Sequence, residues 1–194
     1  MDIGQGDRPL KTNQEYVSKD EAAAQVAILF ERLAMLHASY ARTIVDELGE
    51  EEGRRVVLNA IREYGKKIGA QVREKAEARG QDDSPEHYTG DLPKYGTHDR
   101  LETFEVDGEK RLRAYGCGMW KTWERLGEEE LGRLYCNVDV AKYMGFNPGA
   151  KQIHTKALFA GDDCCELVVR PTTERERKDF ANRNADWSYL DTDR

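Results

Sequence analysis

Two long runs of helical periodicity, separated by one glycine, constrain this chain more than any other feature. Ser18-Lys19-Asp20-Glu21 matches a capping box, with Ser18 at the N-cap and Glu21 reaching back to it. Val26, Leu29, Phe30, Leu33, Leu36, His37, Tyr40, Ile44 and Leu48 then recur at helical spacing, and Gly49 supplies a stop. Glu50, Glu51 and Glu52 suit the positive end of a second helix. Its apolar stripe is Val56, Val57, Ala60, Ile61, Tyr64, Ile68, Val72 and Ala76, and Gly80 ends it. Two amphipathic helices with so short a link pack antiparallel. Gly65 and Gly69 lie one turn apart on the second helix. They either admit another segment at close range or are merely tolerated, and the two readings stand level.

The remainder alternates hairpins and short helices. Residues 80–99 hold Gly, Pro, Asp, Ser and His without periodicity, together with Tyr88, Tyr95, His87 and His98. A loop of that length is a functional lid or disordered. Leu101–Val106 and Lys110–Tyr115 flank Asp107-Gly108, a strong hairpin signal. Met119, Trp120, Trp123 and Leu126 predict a short helix, and Glu128–Met144 is helical in large part. Gly145-Phe146-Asn147-Pro148-Gly149 ends it. A second hairpin over 151–170 follows, and Thr172 or Thr173 caps a short last helix. The order predicts an α+β fold, with two long N-terminal antiparallel helices and further helices packed against one antiparallel sheet built from hairpins. The expected organisation is a mobile arm over 1–17, a single domain over 18–180 and a surface tail over 181–194.

Composition narrows the partners. With 39% hydrophobic and 35% charged residues in 194, a modest core under solvated helix faces is expected. A net charge of −7 without a basic block argues against a nucleic-acid partner. No apolar run reaches transmembrane length, which argues against a membrane partner. The first ten residues lack the regions of a signal peptide. Four cysteines, two of them adjacent, then read as reduced thiols in a cytoplasm. A small-molecule substrate is the expected partner, and homo-oligomer formation stays open.

The chemistry concentrates in the second hairpin. His154, Cys164, Cys165 and the acids Asp162, Asp163 and Glu166 fall within thirteen residues. A tight turn at Gly161-Asp162 would set Leu158 opposite Cys165, Lys156 opposite Leu167 and His154 opposite Val169. Cys165 then shares a face with Leu158, Lys156, Leu167 and His154, while Cys164 shares the other with Thr155, Glu166 and Arg170. His154 and Cys165 would sit roughly 13 Å apart along the strand, too far for a direct dyad. A base for Cys165 is therefore expected from another segment, and Cys136 and Asp139, sharing a helix face, are its source. The bland alternatives are a buried Cys136 and an N-capping Asp139. Trp120 and Trp123 wall a pocket or fill a core. Cys136, Asp139, His154 and Cys165 are zinc-ligand types, but the chain has no C-x-x-C or finger spacing, so no metal is assigned. The chain has neither a P-loop nor a G-x-G-x-x-G, so no cofactor is expected.

Cys136-Asn137-Val138-Asp139, His154-Thr155-Lys156-Ala157-Leu158 and Gly161-Asp162-Asp163-Cys164-Cys165-Glu166-Leu167 together resemble the L-2-amino-thiazoline-4-carboxylate hydrolase family. The long N-terminal helices and Gly145-Phe146-Asn147-Pro148 fit the same picture. The resemblance implies hydrolytic opening of a small cyclic C–N or C–S substrate: a thiazoline, cyclic amidine, imide or lactam-like ring. Cys165 and Asp139 would then act on the electrophilic carbon or on water, and His154 would bind substrate or carry a proton. Cys136, Thr155, Lys156 and Trp120 would contact the substrate. A weaker likeness to vinyl-reductase-like sensor domains implies the alternative, a module that binds a small molecule without chemistry.

Overall fold

A computed structural model describes residues 17–191; the expected arm lies almost wholly outside them. Ser18 starts helix α1 (Lys19–Leu48) by accepting a hydrogen bond from Glu21 N at 3.1 Å. Gly49, at φ 82°, closes that helix and lets α2 (Glu50–Glu77) fold back along it. The turn is tight enough that a Cβ on Gly53 would lie 2.6 Å from Val45 Cα.

The buried stripe of α1 is not the one that the large residues mark. Ala34, Ala38, Ala41 and Val45 face inward, while Leu29, Leu36, Tyr40 and Leu48 are exposed. Small residues win this face because Trp123 packs directly on the helix, its indole N–H donating to Ala34 O at 3.0 Å. On α2, Val57, Ile61, Val72 and Ala76 are buried as the period predicts, joined by Leu58 and Arg62. Arg62 is held by the carbonyls of Phe180 and Asn182, at 2.8 and 3.1 Å.

Strands β1 (Arg100–Val106) and β2 (Glu109–Tyr115) form the first hairpin. Asp107 and Gly108 both take positive φ, 53° and 78°, as a two-residue primed turn requires. Helix α3 (Gly118–Leu126) follows. The next helical stretch comes in pieces: α4 (Glu129–Gly132), a 3-10 turn over Arg133–Asn137, and α5 (Val138–Phe146). The break lets the chain pass around Trp123, whose ring would sit 2.3 Å from a Cβ on Gly132. Strands β3 (Ala150–Lys156) and β4 (Cys165–Pro171) complete an antiparallel sheet of order β1-β2-β4-β3. Thr173 and Glu176 form a full capping box on α6 (Glu174–Ala181).

The fold is α+β. The residues after α6 are not a surface tail: Trp187, Leu190 and Asp191 are 1%, 0% and 4% exposed and join the main core. No helix among the described residues is long and apolar enough to cross a membrane.

Helix α5 lies against α2 at backbone range. A Cβ on Gly65 would meet Ala141 Cβ at 2.4 Å, and one on Gly69 would meet Lys142 O at 2.1 Å and Phe146 N at 2.5 Å. Gly145 makes the reciprocal approach: a Cβ on it would lie 2.6 Å from Lys66 Cα. The close-approach reading of Gly65 and Gly69 therefore holds. Gly69→Ala gains about 1 kcal/mol in helix propensity but must push two backbones apart. The expected net effect in urea unfolding is a loss of about 1–3 kcal/mol, and a stabilised variant would contradict the close crossing.

Candidate active site

The second hairpin carries the reactive groups in a register that differs from the expected one. His154 pairs with Leu167, not Val169. The connection is no two-residue turn: it contains a 3-10 turn over Leu158–Ala160, Gly161 at φ 88°, and Asp162, whose Oδ2 accepts from Ala157 N at 2.8 Å. Cys165, two residues before Leu167 on the same face, becomes the diagonal neighbour of His154. The thiol is thereby among the groups that act on the imidazole and raise its pKa. The expectation that they stand too far apart is overturned by this two-residue shift.

A β-bulge completes the change. The register slips between His154 and Lys156, so Lys156 stands opposite Glu166 on the outer face. There Thr155 Oγ1 donates to Glu166 Oε1 at 3.0 Å, and Lys156 is exposed. Arg111 and Arg113 reach Glu166 at 2.8 and 2.7 Å. Burial opposes ionisation of Glu166, but the bonds from Arg113, Arg111 and Thr155 outweigh it and hold its carboxyl at about 2. Thr155 and Lys156 thus lie across the sheet from the thiol. Trp120 packs beside Trp123 in the α1–α3 core, and only Trp123 lines the cavity.

The inner face opens on a cavity of about 570 Å³. His154, Cys165, Asp139 and Cys136 all line it, so the structure brings these predicted residues together. Asp139 sits in the first turn of α5, and Cys136 in the 3-10 turn before it. His154 donates from Nδ1 to Asp191 Oδ1 at 2.8 Å, and its Nε2 lies 3.9 Å from Asp139 Oδ2. Nε2 is therefore the nitrogen left to face Cys165. Phe159 closes over the imidazole edge-on, with ring centres 5.5 Å apart.

Charge alternates through this wall. Lys142 Nζ, almost wholly buried, bonds Asp139 at 2.7 Å and Asp91 at 2.8 Å. Burial disfavours the charged His154, yet Asp191, Cys165 and Asp139 outweigh it and push its pKa well above the usual value. Burial likewise works against Asp139, but Lys142, His154 and His98 hold its carboxyl below the ordinary range. Asp191 is pushed up by burial, against the pull of His154. His98, a second imidazole on the cavity, is lowered by burial. Two histidines thus face one cavity with opposite tendencies to hold a proton. Burial also raises the thiols of Cys117 and Cys136.

Three participants escaped the sequence reading. Asp191 was assigned to a tail, although Trp187 and Leu190 beside it mark a segment that docks. Lys142 reads as one more charge on a helix. Asp91, with His98, comes from the 80–99 loop, which the structure lays over the cavity. Tyr88 stacks on Tyr143 at 4.1 Å and donates to Asp91 at 3.1 Å, so the loop is anchored to α5. Among the described residues no group of three or more His, Cys, Asp or Glu is placed to hold a metal ion.

Lys142→Met would leave Asp139 and Asp91 without their shared cation. A loss of about 3–5 kcal/mol is expected at neutral pH. Asp139, depressed in the folded wild type, draws stability from this pairing above its unfolded pKa and loses it as pH falls through the lower folded one. The gap between wild type and Lys142→Met should therefore narrow in acid. Melting temperatures at neutral and acidic pH test this, and a constant gap would argue that Lys142 acts by packing alone.

The solved structure of a trafficking protein particle complex subunit 3 from Naegleria fowleri, covalently bound to palmitic acid, is 14% identical. It covers 75% of this chain and 96% of its own, at a TM-score of 0.44. No curated protein matches. The family described as L-2-amino-thiazoline-4-carboxylic acid hydrolase matches residues 28–169, from α1 through β4. With that match spanning most of the chain and carrying Asp139, His154 and Cys165, the protein belongs to the L-2-amino-thiazoline-4-carboxylic acid hydrolase family.

Proposed function

We propose that the protein is a hydrolase that opens a cyclic amidine, such as a 2-aminothiazoline, with Cys165 as nucleophile and His154 as proton carrier. The observation that carries this reading is the row Cys165–His154–Asp191: a thiol diagonal to an imidazole that is itself hydrogen bonded to a buried carboxylate, all at one cavity. A nucleophile, a base and a group that orients the base form the recurring layout of covalent hydrolysis.

The sulfur of Cys165, as thiolate, attacks the amidine carbon. The ring C–S bond breaks, and the leaving sulfur takes the proton from His154 Nε2. This leaves an isothiourea on Cys165 and a free thiol on the substrate. Neutral His154 then draws a proton from water, whose oxygen adds to the same carbon. Collapse expels Cys165 as thiolate and yields a urea, the carbamoyl product. One water is consumed and no redox change occurs. Asp191 holds the imidazole by Nδ1 and so positions Nε2 toward the sulfur. Asp139 acts through its charge, favouring the imidazolium from the Nε2 side. Thr155 and Lys156 have no part, since both face away.

Cys165→Ala should abolish turnover of a 2-aminothiazoline carboxylate while the protein stays folded, and Cys164→Ala, on the outer side, should retain it. Turnover by a folded Cys165→Ala variant would remove covalent catalysis. Binding without turnover in wild type would favour the sensor reading.

Asp191→Asn keeps the shape of the side chain but removes its charge. Turnover should fall by roughly two to four orders of magnitude. The pH profile gives a sharper test. His154 must be protonated to deliver the leaving-group proton, so activity is lost as pH rises through its raised pKa. Without the Asp191 charge that pKa drops, and the alkaline limb of kcat/KM should move to lower pH. An unmoved limb would leave Asp191 with a structural role only.

A further inference from the structure

Polar side chains line the cavity at His154, Asp139, Lys142 and His98 and along α2 at Lys67, Gln71 and Lys75, whereas the strand floor from Cys165 outward is apolar. Across the floor, the strand register sets Leu101 of β1, Ala114 of β2 and Cys165 of β4 in one row. A parallel row runs Leu112, Leu167, His154. Paired residues share a sheet face, so both rows look into the cavity. With strands about 4.8 Å apart, the floor runs about 10 Å from the thiol to Leu101 without a polar side chain in its row. Leu101 is 47% exposed, so the row ends at solvent. Above it, Phe30 and Leu33 from α1 and Ile68 from α2 add apolar wall.

The size of the space sharpens the point. At about 30 Å³ per water-sized group, the roughly nine heavy atoms of a 2-aminothiazoline carboxylate fill less than about 270 Å³. The cavity holds about 570 Å³. More than half of it is left beyond the reacting ring, and the strand floor under that space is apolar. Water gains few hydrogen bonds there, whereas an alkyl or aryl group gains the burial.

We infer that the substrate carries a sizeable apolar substituent, an alkyl chain or aromatic body, that lies along the Ala114–Leu101 floor while its electrophilic carbon sits at Cys165. This rests on the hydrolase reading for the chemistry, but the subsite is defined by the walls alone.

A homologous series tests it. With 4-nitrophenyl esters from acetate to decanoate, Cys165 sulfur attacks the ester carbonyl, 4-nitrophenolate leaves, and a thioester remains. The burst rate constant per mole of ester should rise about fourfold per methylene until the floor is filled. Ala114→Phe fills the row beside the thiol, and Leu101→Asp places a charge at its far end, where exposure leaves folding unaffected. Either change should flatten the decanoate-to-acetate ratio. In Cys165→Ala, calorimetric binding of n-alkanamides from butanamide to decanamide should show the same slope. If no ester reacts but the amides bind with that slope, the catalytic reading falls and the subsite stands. If esters react and neither series depends on length, the subsite falls and the catalytic reading stands. If the slope survives unchanged in both Ala114→Phe and Leu101→Asp, the apolar group lies elsewhere and the inference is overturned.

Discussion

The crossing of α2 and α5 is the constraint on which the remaining geometry depends. Side chains normally hold helices 8–10 Å apart. Here Gly65, Gly69 and Gly145 let the two backbones touch. Helix α5 carries Asp139 in its first turn and Lys142 one turn later, so its depth decides how far these charges sit from the sheet. A crossing one methyl group wider would carry Asp139 away from His154, already 3.9 Å distant. The glycines give up helix propensity, and that local cost is offset by a site that closes.

Around this crossing the buried charges are ordered by sign. Asp91, Lys142, Asp139, His154 and Asp191 form a series in which each cation lies between two carboxylates. Removing ions from water is expensive, and such a series is tolerable only when every member is paired. The outer sheet face repeats the logic with Arg111, Arg113 and Glu166. The difference is access: the outer cluster is closed on itself, whereas the inner one borders a cavity.

Much of the fold was legible in the sequence, for reasons that are local. The helical periods of α1 and α2, the primed Asp107-Gly108 turn and the Thr173–Glu176 box are short-range signals, and each appears where expected. The α+β class follows from their order. The site was legible as a set of residue types, because Asp139, His154, Cys165 and Cys136 do meet. Their mutual geometry was not. A register depends on how a connection is built, and the 3-10 turn at Leu158–Ala160 and the bulge at Thr155–Lys156 leave no periodic trace. Nor does sequence distance reveal Asp191, 37 residues from the imidazole that it orients. The inward face of α1 was misjudged because Ala34 and Ala38 accept a tryptophan that leucines would have excluded.

The 80–99 loop shares Lys142 with Asp139 on the cavity wall. Any displacement of the loop would break the Asp91–Lys142 pair and unstack Tyr88 from Tyr143. Lys142 is then left to Asp139 alone and binds it more fully, which withdraws negative charge from His154. Loop docking and proton affinity are thereby thermodynamically linked. With the loop displaced the imidazole would be less basic, and reciprocity would then require that protonating His154 favour the docked loop. Loop position and imidazole charge are in this sense tied through one ammonium group with a carboxylate on each side.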